Sequence, residues 1–427
     1  MHFPRYPKYK PSGVEWLGEV PTDWKVTRLK RVVALVTDRA EQRTNPVALE
    51  NIDGWSGRFI PTETEFQGEG VAFEAGDILF GKLRPYLAKV FLADRAGEAV
   101  GDFHVLRPST VIAPHFAQLQ MLTRAFIDTV DGSTFGSKMP RASWAFLGTM
   151  PFVLPPVEEQ SAIAAFLDRE TGKIDALVAE QEKLIALLKE KRQALISHAV
   201  TRGINPDAPM KPSGIDWLGD VPAHWEVRRL RTLANVTRGA SPRPAGSPEY
   251  FDGDFIPWVT VAEITKDDSI DLMYTAESLT QAGMESSRLF RAGTVIYSNS
   301  GATLGVPKIL CMDACANDGV VAFEDLSSNV RPKFLYQLLA SLTSTIREMV
   351  KQGSGQPNLN TDIVKSIRMA LPPIGDQMAI VTEIERLSRA SATLQDEATR
   401  AIALLKERRA ALISAAVTGK IDVHALG

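Results

Sequence analysis

Leu154-Pro155-Pro156-Val157-Glu158-Glu159-Gln160 is the stretch on which the fold turns. The prolines end whatever structure precedes them, because proline supplies no backbone N–H and disfavours helix at the residue before it. The residues after them read as one long helix, to about Val200. Ile163, Leu167, Glu170, Ile174, Leu177, Gln181, Leu184, Leu188, Lys191 and Leu195 recur in steps that alternate four and three, the seam of a coiled coil. No proline interrupts the run, and its one glycine, Gly172, costs about 1 kcal/mol relative to alanine. At ~1.5 Å per residue the helix reaches roughly 60 Å, too long for an ordinary packed helix.

The stretch returns as Leu371-Pro372-Pro373, with Gln377 in the place of Gln160, a shift of 371 − 154 = 217. The seam returns at the same shift, as Ile380, Ile384, Leu387, Ser391, Leu394, Ala398, Ala401, Leu405, Arg408 and Leu412. Lys189-Glu190-Lys191-Arg192-Gln193-Ala194-Leu195-Ile196-Ser197 matches Lys406-Glu407-Arg408-Arg409-Ala410-Ala411-Leu412-Ile413-Ser414. Two helices of equal length, each with one apolar stripe, are expected to zip to each other. Pairing with another chain is the other reading.

Ahead of each helix lies a second repeat. Lys10-Pro11-Ser12-Gly13-Val14-Glu15-Trp16-Leu17-Gly18-Glu19-Val20-Pro21 is copied as Lys211-Pro212-Ser213-Gly214-Ile215-Asp216-Trp217-Leu218-Gly219-Asp220-Val221-Pro222, a shift of 211 − 10 = 201. Trp24 and Trp225 come next, at the same offset. The unit is far longer than a solenoid repeat, so a globular domain plus its helix has been duplicated. The shift grows by 217 − 201 = 16, the extra length of the second globular region. Trp16 and Trp217 are expected to anchor the junction of domain and helix.

Between these anchors the halves diverge. Short β-like runs appear at Val71-Ala72-Phe73, Asp77-Ile78-Leu79-Phe80, Ala88-Lys89-Val90-Phe91-Leu92 and Phe103-His104-Val105-Leu106 in the first half. Phe255-Ile256-Pro257-Trp258-Val259, Thr294-Val295-Ile296-Tyr297 and Gly319-Val320-Val321-Ala322-Phe323 are their counterparts in the second. Helix-like segments come after them near 115–130 and 332–350, then glycine-bearing loops, Phe135-Gly136-Ser137-Lys138-Met139-Pro140-Arg141 and Gly353-Ser354-Gly355-Gln356-Pro357-Asn358-Leu359-Asn360. Ala75-Gly76-Asp77-Ile78-Leu79-Phe80 resembles Ala292-Gly293-Thr294-Val295-Ile296-Tyr297, but Gly81-Lys82-Leu83-Arg84-Pro85-Tyr86 then stands against Ser298-Asn299-Ser300-Gly301-Ala302-Thr303. One scaffold carrying two different polar loops suits a protein that reads two targets.

Composition narrows the class. No run of 18 apolar residues exists and the N-terminus lacks a signal-peptide core, so a cytoplasmic protein is expected. Two cysteines, Cys311 and Cys315, fit a reduced compartment and lack the second pair a zinc site requires. The net charge of −3 counts mildly against nucleic-acid binding but does not exclude it, because local patches govern backbone contact. Gly76-Asp77-Ile78-Leu79-Phe80-Gly81-Lys82 nearly spells a P-loop, yet Leu83 stands where Ser or Thr is required and Pro85 blocks the helix that would hold phosphate. Phe66-Gln67-Gly68-Glu69-Gly70 nearly matches the glycine loop of adenine methyltransferases, without the Asn/Asp-Pro-Pro-aromatic motif those enzymes need. No nucleophile, nuclease or HExxH arrangement is legible.

The duplicated arrangement resembles the specificity subunit of type I restriction-modification enzymes. The match is carried by Trp16-Leu17-Gly18 with Val20-Pro21 and Trp24, by Trp217-Leu218-Gly219 with Val221-Pro222 and Trp225, and by the two Leu-Pro-Pro-x-x-x-Gln helix starts. Gly375-Asp376 departs from Glu158-Glu159. The resemblance implies an α+β chain with pseudo-two-fold symmetry: two duplicated target recognition domains joined by two long antiparallel coiled-coil helices. The boundaries are then residues 1–156 and 201–373 for the domains, 157–200 and 374–418 for the helices, and 419–427 for a tail. It implies that each domain reads half of a split double-stranded DNA site in the major groove and that the helices set the gap. Two methyltransferase subunits would carry S-adenosylmethionine, and nuclease/translocase subunits would use ATP and Mg. This chain would hold no cofactor and no catalytic residue of its own.

Base chemistry selects the candidate reading residues, since Arg and Lys pair with guanine and Asn and Gln with adenine. They are Lys82, Arg84, Lys138 and Arg141 in the first domain, and Arg238, Arg243, Asn299, Lys308, Gln356, Asn358 and Asn360 in the second. For any one of them, a solvated loop residue or a phosphate contact is an equal reading. The alternative for the whole chain is a non-DNA scaffold protein with two binding domains on a coiled-coil spacer.

Overall fold

The computed structural model describes residues 3–40, 44–62, 70–134, 139–299, 303–351 and 359–426. Helices run over Val157–Arg202 and Ile374–Val417, each starting directly after its Pro-Pro pair. The chain divides into two compact units, Met1–Lys183 with Ala398–Gly427, and Leu184–Glu397. In the first unit Ile163, Leu167 and Ile174 share one core with Leu412, Ile413, Ala416 and Val417. In the second, Ile196, Ala199 and Val200 share a core with Ile380, Val381 and Ile384. The two long helices therefore pack on each other within each unit, start of one against end of the other.

The seam departs from the expected positions. Leu177, Leu184 and Leu195 are 46, 41 and 37 % exposed, and Leu394 is 47 % exposed. Val178 and Ile185 turn inward in place of Leu177 and Leu184, and Thr171 is buried more deeply than Glu170, whereas Ile174, Gln181 and Leu188 face inward as expected. The expected step from Leu167 to Glu170 is in fact a second step of four, to Thr171. A helix of 3.6 residues per turn drifts against a strict heptad, and an extra step of four absorbs the drift. Thr171 can be buried because its hydroxyl donates to the Leu167 carbonyl at 2.7 Å. Glu170 stays half-buried at the edge of the seam, bonded to Lys173 and Arg169.

Each unit repeats one plan. A two-stranded opening hairpin, Tyr9–Pro11 with Glu19–Pro21, matches Met210–Pro212 with Asp220–Pro222. A junction pair, Lys25–Arg28 with Pro151–Leu154, matches Glu226–Arg229 with Arg368–Leu371. The main antiparallel sheet of the first unit has the order Val33–Val36, Phe103–Pro108, Ile78–Gly81, Val90–Leu92. That of the second has Asn235–Arg238, Val320–Glu324, Val295–Ser298, Pro307–Leu310, and adds Asp271–Leu272 in parallel at the edge. The extra 16 residues fall between Arg229 and Ala292, where this added strand lies. The helix expected near 115–130 is two, Pro114–Met121 and Arg124–Gly132, because extended Thr123 turns its hydroxyl to the Gln120 carbonyl and starts a new helix.

Buried polar side chains weld helix to domain, and they do so twice. The Gln160 amide accepts from Ala113 N–H at 2.7 Å and donates to the carbonyls of Val111 and Pro155 at 3.1 and 2.8 Å. Gln377 repeats this with Arg331 N–H at 2.8 Å and the carbonyls of Asn329 and Pro372 at 2.7 and 2.8 Å. Trp24 donates from its indole to Glu159 at 3.0 Å, and Trp225 donates to Asp376 at 3.2 Å. Asp376 thus takes over the role of Glu159, so the departure at Gly375-Asp376 keeps the contact. Trp24 and Trp225 are the buried junction anchors, whereas Trp16 and Trp217 are half-buried beside them. The helix ends close the same way: Gly203, at φ +79°, lies under the Trp225 ring, and Gly419, at φ +75°, packs on Pro21 and Trp24.

Candidate nucleic-acid interface

Both main sheets end in a hairpin tip built on one hydrogen-bond frame. In the first unit the strand Ile78–Gly81 leads into Lys82, whose N–H donates to the Asp102 carbonyl at 2.7 Å. The Lys82 carbonyl accepts from Ala142 N–H at 2.9 Å. In the second unit Asn299 N–H donates to the Gly319 carbonyl at 3.0 Å, and its carbonyl accepts from Leu359 N–H at 2.8 Å. Every partner is displaced by 217: 82 to 299, 102 to 319, 142 to 359. The next residue caps a short helix in both units, Ser143 accepting from Phe146 N–H at 3.2 Å and Asn360 accepting from Ile363 N–H at 2.8 Å.

In the first unit this frame gathers three of the candidates. Arg84 N–H donates to the Pro140 carbonyl at 2.9 Å, and Leu83 forms an isolated bridge with Arg141. Lys82, Arg84 and Arg141 therefore crowd one end of the sheet, with Arg84 and Arg141 exposed. Arg141 is held by Asp102 at 3.0 Å; among the described residues no carboxylate pairs with Lys82 or Arg84. Lys138 lies outside the described residues. His104 stands behind the cluster, its Nε2 3.0 Å from the Ala142 carbonyl and its ring against Trp144. Burial pushes its pKa below the usual value, the Ala142 carbonyl opposes this, and Lys82 adds to the lowering. The ring is thus neutral, with the proton on Nε2.

The second unit places its candidates unevenly. Exposed Arg238 donates to the Asp318 carbonyl, and exposed Arg243 lies 3.8 Å from the Asp318 carboxylate. Asp318 adjoins Gly319 of the frame, so both arginines reach the same sheet end as Asn360. Two residues require correction. Lys308 is 1 % exposed, and its ammonium is consumed by the Asp267 carboxylate at 2.5 Å, the Asp267 carbonyl at 3.0 Å and the Ser269 carbonyl. A buried charge with all three protons engaged is a structural tie, so Lys308 leaves the reading surface. Asn299 is also 1 % exposed, and neither amide atom has a hydrogen-bond partner. Its place is inside the frame, under the surface. Gln356 and Asn358 lie outside the described residues.

The near-P-loop is a turn and a strand. Asp77 is buried and takes a bidentate pair from Arg107, at 2.9 and 2.8 Å. That pair holds the sheet together and leaves no phosphate cradle before Lys82. Sequence reasoning missed Asp102 and Asp318, whose carboxylates lie 3.0 Å from Arg141 and 3.8 Å from Arg243, and His104, which bonds the Ala142 carbonyl of the frame. Asp102 is itself a frame position, displaced by 217 from Gly319, and Asp318 adjoins one, whereas His104, opposite Val321, carries no such signal.

Comparison with known proteins decides the family. The model of the type I restriction modification DNA specificity domain matches residues 21–186 and again 222–402. The chain belongs to this family of DNA specificity domains. Among curated relatives, the type I restriction enzyme EcoDI specificity subunit of Escherichia coli is 22 % identical over 434 residues, 95 % of this chain and 90 % of the relative. A solved chain reported for complex assembly and conformational transition of the type I R-M system superposes with a TM-score of 0.69 at 20 % identity, covering 94 % of this chain and 99 % of that one. The HsdS subunit from Thermoanaerobacter tengcongensis gives a TM-score of 0.53 at 19 % identity, covering 94 and 98 %. The chain is a specificity subunit with two target recognition domains, and the two frames lie one in each matched segment. No helix among the described residues is long and apolar enough to cross a membrane.

Proposed function

We propose that this subunit is the address reader of a methylation and restriction complex, with the tip at Lys82, Arg84 and Arg141 reading one half-site and the tip at Arg238, Arg243 and Asn360 the other. The observation that carries the reading is the pair of frames, one backbone geometry with different polar side chains at its end. A duplicated frame positions two readers alike, and the side chains then choose the bases. A neutral scaffold gives no reason for arginines to gather at the same sheet end in both units. The subunit itself transfers no methyl group and cuts no DNA. Two methyltransferase subunits bring S-adenosylmethionine and the adenine chemistry, and nuclease/translocase subunits bring ATP and Mg, all in the cytoplasm. Lys138, Gln356 and Asn358 stay in the proposed reading set on sequence grounds.

The test is to assemble the subunit with its methyltransferase, methylate genomic DNA and map modified adenines by single-molecule sequencing. One bipartite motif with a fixed gap is expected. Methylation without a motif, or binding that does not weaken steeply with salt, overturns the reading.

A further inference from the structure

The hairpin tip of the first domain carries an apolar pair that the cations do not explain. Residues 85–87 form a 3-10 turn, in which Tyr86 is 46 % exposed and Leu87 is 38 % exposed. The equivalent of Leu87 at a shift of 217 is Leu304, which is 1 % exposed and part of the second domain's core. The same residue type at the same place is thus buried in one domain and presented to solvent in the other. The presenting turn is rigid. Pro85 fixes its start, and Leu87 N–H donates to the Arg84 carbonyl at 2.9 Å. Arg84 and Ala88, on either side, hold φ of +51° and +49°, and Trp55, whose N–H donates to the Ala88 carbonyl at 3.1 Å, holds φ of +66°. Left-handed backbone is uncommon for residues with side chains, and persists only where the surroundings fix it.

We propose that Tyr86 and Leu87 are specificity determinants that contact the C5-methyl group of a thymine in the half-site read by the first domain. The inference rests on the reading of this domain as a DNA reader. The occupant is set by charge: Arg84 adjoins the turn and Lys82 and Arg141 lie at its base, so the polymer that meets it is a polyanion. The apolar feature in the major groove of duplex DNA is the thymine methyl group, the one base-edge group an exposed apolar side chain can recognise. A turn held this firmly loses little freedom on binding, which favours its use for readout.

The experiment uses the subunit assembled with its methyltransferase and the bipartite site found by methylation mapping. Each thymine of each half-site is replaced in turn by 2′-deoxyuridine, which removes only the methyl group, and binding is measured by competition. One position in the first half-site is expected to weaken binding about four-fold, the size of one buried methyl group. The Tyr86→Ala/Leu87→Ala double variant is expected to bind the thymine and deoxyuridine forms equally while keeping the second half-site unchanged. The proposal is overturned if no deoxyuridine in the first half-site matters to the wild type, or if the double variant keeps the full thymine preference. Either result leaves motif-directed methylation intact, and so is distinct from failure of the DNA-reading assignment, in which no motif is found at all.

Discussion

Lys82 and Asn299 occupy one position of one frame, yet the first lies half-open among arginines and the second is sealed with its amide unbonded. The difference teaches where the duplication is strict. Backbone hydrogen bonds, helix caps and the glutamine welds repeat almost atom for atom, because each satisfies a buried polar group that is costly to leave bare. Side chains at the tip carry no such obligation. They are free to diverge, and under the proposed function divergence there changes what is read without changing what folds.

The largest consequence is modularity. Exchanging residues 25–150 for the corresponding segment of another specificity subunit should replace one half-site completely and leave the other as it was. Methylation mapping of the chimaera reads this directly. A change in both half-sites would mean the two tips do not act separately.

Next in size are the welds. Gln160→Leu leaves one N–H and two carbonyls without partners in a buried site, and Gln377→Leu does the same in the other unit. Each variant should lose roughly 3–5 kcal/mol of stability by denaturant unfolding. Equal losses would support equivalence of the two welds; a loss in one alone would break it.

Much of this was legible in the sequence because it repeats. The two Leu-Pro-Pro-x-x-x-Gln starts located both long helices, and the Trp-Leu-Gly copies located both domains. Beyond Leu167 every second seam position, Glu170, Leu177 and Leu184, falls one residue short of the more buried Thr171, Val178 and Ile185, since a strict heptad ignores the drift of a real helix, whereas Ile174, Gln181 and Leu188 lie where the heptad puts them. The tips were harder. Lys308 and Asn299 sit in polar-looking sequence, but Lys308 points across a strand into Asp267 and Asn299 is roofed within its frame. Alternation along a short strand does not say which face is covered when a strand such as Asp271–Leu272 is added at the edge. Arg84 and Arg141 could be named but not joined, because the bond from Arg84 to Pro140 spans more than 50 residues of sequence.

A smaller effect separates reading from anchoring. Arg141→Ala should lower discrimination at the first half-site by about 1–3 kcal/mol, and Arg243→Ala should do the same at the second. Competition binding against single-base variants of each half-site reports both. A uniform loss on random DNA would make the residue a phosphate contact instead.

The smallest predicted effect concerns His104, whose counterpart at a shift of 217 is Val321. The folded domain holds the ring neutral by burial, with Lys82 assisting, so its pKa lies below the ordinary 6.5. Above the ordinary value both folded and unfolded chains carry a neutral ring, and the group imposes no pH dependence. As the pH falls below about 6.5 the unfolded chain takes up a proton that the folded one refuses, so stability falls with pH through that window. In His104→Val two contributions separate. The hydrogen bond to the Ala142 carbonyl is lost at every pH, a constant offset of about 1 kcal/mol. The acid-side decline assigned to the ring disappears, because valine cannot titrate. Urea unfolding of wild type and variant at several pH values from 5 to 8 should therefore give a stability difference that is flat above 7 and narrows as the pH drops. A difference that stays constant down to pH 5 would show that the ring titrates normally in the folded domain, and that Lys82 and the covered sheet end do not suppress its charge.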